Sequence, residues 1–228
     1  LAPLKNLTTL DVDSSVVTDT TLKQLKDFGF QHALMNFRVD IWKRSSKPED
    51  VKRLALVDTK ITDEGLKQLI DLPNLEEIIL SGTKISDAGL QTLARFNKLT
   101  EISLERTQIT DEGLRKLEKF PNLTVLSLDL TKVTDAGLET IAQYQTIKEL
   151  RLYGTKITDE GLKSIAKLEN LERLFLQYTN VTETGLKSLA ALKKLHTIDL
   201  RATKFTEADE PKLRQLLPEC RYFFNLKK

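Results

Sequence analysis

The strongest constraint on how this chain folds is that it repeats itself every 24 residues. Val51, Leu75, Leu99, Leu123, Ile147, Leu171 and Leu195 open seven successive units across residues 51–218, the last of them degenerate. A fixed period of this length means that each unit is one small supersecondary element, able to bury its apolar face only against its neighbours. A representative unit, LTEISLERTQITDEGLRKLEKFPN from Leu99 to Asn122, follows L-x-x-L-x-L-x-x-T-x-I-T-D-x-G-L-x-x-L-x-x-F.

Two periodicities coexist within that unit and assign its two layers. Residues 101 to 105 alternate, with Ile102 and Leu104 on one side and Glu101, Ser103 and Glu105 on the other, which predicts a short strand with one wet face. From Asp111 to Phe120, Leu114, Leu117 and Phe120 recur at i,i+3, which predicts a short helix with one inward stripe. A helix of that length is marginal alone, so burial must be collective. The expectation is an α/β solenoid of right-handed strand-turn-helix units, with parallel strands on the concave face and short helices on the convex face.

Several polar columns recur with the period, and repetition argues for structure over catalysis. Thr59, Thr83, Thr107, Thr131, Thr155, Thr179 and Thr203 stand at the strand exits, where a hydroxyl can bond a backbone group of its own or a neighbouring turn. A catalytic threonine would need a unique activating base instead. Thr110 and Asp111 and their equivalents stand at the helix starts, as expected of an N-cap followed by a carboxylate that favours the positive helix end. Asp63, Asp87, Asp111, Asp135, Asp159 and Glu183 resemble a calcium-ligand column, but strand spacing of about 4.8 Å or more keeps them from converging on one ion. Gly65, Gly89, Gly113, Gly137, Gly161 and Gly185 mark close packing, since none lies in a phosphate-binding glycine run.

The ends depart from the period as caps must. Residues 1–50 hold a degraded copy, with Leu7, Leu10, Val12, Val17, Asp19, Leu22 and Leu25 and with Thr21 in the glycine position. It is followed by an irregular apolar segment, 29–50, that carries Phe37 and Trp42. At the other end Asp209 and Glu210 replace Gly-Leu, and Pro211 sits in a first helical turn, where proline is tolerated. Residues 219–228 form a closing tail in which Tyr222, Phe223 and Phe224 cover the open core and Cys220 serves as a buried apolar side chain.

Composition removes several function classes. With 35 basic and 33 acidic residues the formal charge is +2, too little for a global field that would recruit nucleic acid. A single cysteine excludes an intramolecular disulfide framework and a thiolate zinc cluster. No stretch approaches the roughly 18 apolar residues of a membrane span. Localisation stays open, as does whether a leader or domain has been removed ahead of Leu1.

These units resemble the leucine-rich-repeat superfamily, and within it the cysteine-containing subtype with a segment like L-x-x-L-x-L-x-x-C-x-x-[IL]-T-D-x-G-L. The sequence I-T-D-E-G-L stands at 61–66, 109–114 and 157–162, and threonine takes the place of the turn cysteine. The resemblance implies protein recognition through the concave face. Some relatives are substrate-recognition parts of ubiquitin-ligase complexes, a role that needs a recruiting domain not recognisable at either end of this chain.

Fold alone does not give function, so the strand positions that vary between units carry the reading. Asp11, Asp13, Glu77, Glu101, Glu105 and Asp129 make the early part of the face acidic. Later strands present Arg151, Tyr153, Arg173, Phe175, Gln177, Tyr178 and Arg201, a set rich in the aromatic and arginine side chains favoured at interface centres. These seven are the expected partner-binding residues. The expected partner is a protein or peptide of acidic or carbonyl-rich character, with no catalytic residue, cofactor or metal assigned. Carbohydrate is the alternative ligand, stacked on Tyr153 and Tyr178 with Gln177 and Asp199 bonding its hydroxyls. A purely structural or adaptor segment is the other alternative. Nucleic acid is not expected, because Glu149 and Asp199 interrupt the arginines.

Overall fold

The computed structural model describes residues 17–27, 51–69 and 72–225. The irregular segment 29–50, with Phe37 and Trp42, lies outside the described residues. Eight strands, β1 (Arg53–Ala55), β2 (Glu77–Ile79), β3 (Glu101–Ser103), β4 (Val125–Ser127), β5 (Glu149–Arg151), β6 (Arg173–Phe175), β7 (Thr197–Asp199) and β8 (Arg221–Phe223), form one parallel sheet in sequence order. Register partners are 24 residues apart at every step, from Arg53 with Glu77 to Asp199 with Phe223. Short helices fill the opposite wall: α1 (Asp19–Asp27), α2 (Asp63–Gln68), α3 (Asp87–Leu93), α4 (Asp111–Leu114), α5 (Asp135–Ile141), α6 (Asp159–Ile165), α7 (Glu183–Ser188) and α8 (Glu210–Leu216). Helices need more room than the roughly 4.8 Å between strands, which makes the sheet the concave side of a right-handed solenoid.

The inward columns make one continuous core from Val17 to Cys220. In the third full unit Ile102, Leu104, Ile109, Leu114 and Leu117 are all at or below 1% exposure, as the alternating and i,i+3 patterns require. The ladder in that unit covers only 101–103, because the chain then turns. The turn still bonds across, Leu104 N–H to the Ser127 carbonyl and Arg106 N–H to that of Asp129, both at 2.9 Å. The segment expected as one helix from Asp111 is α-helical only to Leu114 and continues as a 3-10 helix over Arg115–Lys119. Strict i,i+3 spacing is the period of the tighter helix, which superposes Leu114 and Leu117 on one edge.

The C-terminal tail does more than cover the core. β8 extends the sheet by one strand, with Tyr222 in the column of Ile198. Its hydroxyl donates to the carbonyls of Leu213 and Leu217 at 2.9 and 3.2 Å. Cys220 is buried, and that burial pushes its thiol up to about 12, so it behaves as an apolar side chain.

Each threonine of the strand-exit column donates its hydroxyl to the carbonyl three residues earlier in its own turn, from Thr59 to Leu56 at 2.8 Å through Thr203 to Leu200 at 2.5 Å. The Thr-Asp column caps as expected at four helix starts, where the hydroxyls of Thr62, Ser86, Thr158 and Thr182 accept from the N–H two residues on, and it also bonds the preceding repeat. Thr110 makes no side-chain cap to its own helix. Its hydroxyl donates instead to Asp87 Oδ2 at 2.6 Å and its backbone N–H to Asp87 Oδ1 at 2.9 Å, in the preceding repeat. The same clamp joins Asp63 to Ser86, Asp111 to Thr134, Asp135 to Thr158 and Asp159 to Thr182. Asp19 clamps Thr62 likewise, although these residues are 43 positions apart instead of 23. Residues 17–27 therefore stack directly on the next repeat.

The glycine column is the counterpart of the clamp. A Cβ on Gly113 would stand 2.2 Å from Asp87 Oδ1 and 2.7 Å from its Cγ, and the other five helix glycines meet the preceding aspartate at 2.2 to 2.6 Å. Replacing Gly113 by alanine should therefore destabilise the fold by about 1–3 kcal/mol through overpacking. Asp87→Ala removes two charge-assisted bonds and should cost about the same. Because the clash is with Asp87 itself, the double variant should lose clearly less than the sum of the singles. Chemical denaturation of the four proteins tests this, and strict additivity would refute the clamp as the reason for glycine.

Candidate functional site

Of the seven expected residues, Arg151, Arg173 and Phe175 lie on β5 and β6, while Tyr153, Gln177, Tyr178 and Arg201 lie in the turns that follow β5, β6 and β7, and buried carboxylates hold the arginines. Glu149 points outward from the first position of β5 yet is only 3% exposed. It is covered by Arg151, whose Nε lies 2.5 Å from Oε1, and by Arg173, whose Nε lies 2.5 Å from Oε2. Asp199, 1% exposed, does the same for Arg201, with Nη2 2.6 Å from Oδ2, and also accepts from Gln177 Nε2 at 2.8 Å. The three guanidiniums are thus held by two buried acids, leaving an excess of one positive charge. Low local dielectric strengthens such pairs and fixes their geometry. Asp199 is consumed by these bonds, so its carboxylate is not offered to a sugar hydroxyl.

The aromatic residues form two contacts instead of one centre. Arg151 is the register partner of Phe175 and lies over its ring, 5.2 Å from Cζ to centroid. Phe175 is consequently half-buried. Tyr153 meets Tyr178 edge to face, with centroids 5.2 Å apart and planes at 71°. Of the two, Tyr178 is the more prominent at 63% exposure. Gln177 lies between, and its Oε1 is buried without a hydrogen-bond partner.

Tyr178 belongs to a column that the repeat pattern did not disclose. Asp58, Gly82, Arg106, Leu130, Gly154, Tyr178 and Ala202 all have φ between 53° and 71°. They precede the strand-exit threonines, in the third position of a turn closed by bonds such as Thr131 N–H to the Leu128 carbonyl at 3.2 Å. A positive φ there suits glycine or asparagine, and costs other residues about 1–2 kcal/mol. Five of the seven are not glycine, so composition concealed the conformation. The two glycines were the available signal.

Of the acids expected on the early part of the face, Asp11 and Asp13 lie outside the described residues, and Glu77 and Glu105 are ion-paired. Arg53 lies 2.9 Å from Glu77, and Arg106 reaches both Glu105 at 3.4 Å and Asp58 at 3.2 Å. Glu101 has no ion-pair partner among the described residues, and neither does Asp129. Burial and the charge of Glu105 raise its carboxyl from the ordinary 3.8 to about 6, against the lowering effect of a 2.7 Å bond from Tyr153 N–H.

Between those two values the folded chain holds a proton on Asp129 that the unfolded chain has lost. The stability contributed by this group therefore falls as pH rises from about 4 to about 6, and is constant above. Asp129→Asn should gain on the wild type across that interval, by about 1 kcal/mol once solvent screening is allowed for. Thermal melts at pH 5 and pH 7.5 check this, and a difference between the two proteins that does not change with pH would contradict it.

Among the described residues no helix is long and apolar enough to cross a membrane, and no cluster of three or more His, Cys, Asp or Glu side chains could hold a metal. A family profile described as "Leucine Rich repeat" matches residues 49–69, 71–94, 97–117, 121–142 and 145–166. No curated protein sequence matches the chain. Solved structures that share the fold include internalin C2 from Listeria monocytogenes, at 20% identity and a TM-score of 0.54 over 78% of this chain and 82% of that one. A leucine-rich-repeat protein from Leptospira interrogans matches at 23% identity and a TM-score of 0.55, over 77% of this chain and 49% of that one. Another internalin of Listeria monocytogenes matches at 20% identity and a TM-score of 0.50, over 78% and 61%. At these identities the structures show the fold alone. With the repeat profile, the 24-residue register and the eight-stranded parallel sheet in agreement, the chain belongs to the leucine-rich-repeat superfamily.

Proposed function

We propose that this chain is a non-enzymatic recognition module that binds a protein or peptide on the strand face of β5–β7. The observation that supports the reading best is the fixed arrangement of Arg151, Arg173 and Arg201 around the half-buried Phe175. Their guanidiniums are oriented by buried Glu149 and Asp199 while the residues stay exposed. A planar donor already immobilised loses little freedom on binding, and an adjacent aromatic supplies apolar area, the combination that concentrates binding energy at interface centres. Tyr153, Gln177 and Tyr178 extend the surface toward the turns. The excess of one guanidinium over the buried acids favours a partner that brings carbonyl or carboxylate acceptors.

The test must spare the arginines, since removing Arg151 and Arg173 would leave Glu149 buried and unpaired and destabilise the fold itself. Phe175→Ala avoids this. A partner captured on the immobilised wild-type chain should bind Phe175→Ala at least about tenfold more weakly, equivalent to roughly 1.4 kcal/mol. Glu139→Ala, exposed on α5, should bind as the wild type does. Circular dichroism of each variant establishes that it is folded, and equal affinities for folded Phe175→Ala and wild type would remove Phe175 from the site.

A further inference from the structure

The left-handed turn column carries the same device twice, and the two copies are closed differently. In the first, Asp58 lies against Gly82, where a Cβ would come 2.0 Å from its Oδ1, and Arg106 from the next repeat reaches the same oxygen at 3.2 Å. A glycine in the middle repeat lets side chains two repeats apart meet over it. In the second copy Leu130 lies against Gly154, where a Cβ would come 2.5 Å from its Cδ2, and Tyr178 stands in the next repeat with its ring against Tyr153. Where the first copy has an ion pair, the second has two apolar side chains in water. Leu130 at 43% and Tyr178 at 63% are the exposed large hydrophobic residues among those described.

Both residues are doubly unfavourable for the isolated chain. Each exposes apolar area, and each holds a positive φ, 54° and 55°, as do Asp58, Arg106 and Ala202 in the same column. The turn conformation is common to the column, so it is the exposed apolar side chain that points to use. The charges beside the ridge indicate the kind of occupant. Lys132 and Lys156, two residues beyond Leu130 and Gly154, are exposed and have no ion-pair partner among the described residues. The nearby acids are engaged, Glu105 with Arg106 and Asp129 with the Tyr153 N–H.

We infer that Leu130, Tyr153 and Tyr178, seated around Gly154 and flanked by Lys132 and Lys156, dock an acidic segment of a protein partner through one or two large apolar side chains. This inference rests on the reading of the chain as a protein-recognition module and places an anchor at the turn edge, beside the strand face. The occupant's apolar side chains cover the ridge, and its carboxylates meet the two free ammonium groups.

The test uses the whole chain and three synthetic peptides: an acidic one with a central Leu-Phe pair, its lysine counterpart with the same pair, and an acidic one with Ser-Ser in the centre. The expected result is saturable binding of the first alone, followed by NMR shifts at Gly154 and Tyr178. Leu130→Asn/Tyr178→Asn should weaken that binding at least tenfold while melting no lower than the wild type, since asparagine accepts the left-handed conformation. The glycine pair Leu130→Gly/Tyr178→Gly serves as a second folded variant. Binding of the lysine or Ser-Ser peptide as strong as that of the first, or no binding of the first, overturns the inference. Binding lost in Phe175→Ala but kept in Leu130→Asn/Tyr178→Asn overturns the ridge and leaves the strand-face reading standing. The reverse pattern keeps the ridge and removes Phe175.

Discussion

The aspartate clamp between successive helix starts is the interaction on which the stack depends. Apolar burial is non-directional and tolerates sliding, so a column of leucines alone does not fix how one repeat sits on the next. The carboxylate does, because one oxygen takes the backbone N–H and the other the hydroxyl of a single residue in the following repeat. That geometry also explains the glycine, since the aspartate occupies the volume of its absent side chain. Two columns, one acidic and one without side chains, are therefore halves of a single device.

The C-terminal end supports that interpretation by losing both halves together. Glu183, one methylene longer than aspartate, bonds Lys187 and Lys212 and clamps nothing ahead of it. In the following unit the glycine position holds Asp209, which turns back to take the N–H and hydroxyl of Thr206 at 2.9 and 3.1 Å. Thr21, in the glycine position of α1, likewise accepts from the N–H of Thr18 at 3.3 Å. At Thr18 and Thr206 the side chain in the glycine position itself takes the N–H of the helix start.

The sequence was informative wherever a residue's environment repeats. Period, layer order and inward columns all follow from spacing, because a parallel stack of identical units places equivalent residues in line. What the columns do not reveal is direction across the interface. Thr110 and Asp111 read equally well as a local cap, and only the fold shows that Asp111 reaches forward to Thr134. The left-handed column was hidden for a related reason. The turn is set by backbone bonds common to every repeat, so Leu130 and Tyr178 are carried into a conformation that their own preferences oppose. Glu149 was legible as a charge among arginines, yet its burial arises from two side chains folding over it from adjacent strands. Residues 29–50 break the period, and spacing has nothing to say where there is no repeat.

The clamps also make the solenoid mechanically uneven. Sheet bonds run on to β8, whereas the last clamp joins Asp159 to Thr182. Beyond it the helix wall is held by packing, by surface pairs such as Lys212 with Glu183, and by the Tyr222 hydroxyl. Under tension the α8–β8 end is therefore the compliant element, and the clamped stack from α1 to α7 is the stiff one. A partner gripping Phe175 and Tyr178 would pull near the boundary between the two, where load passes from a rigid rod into a softer tip.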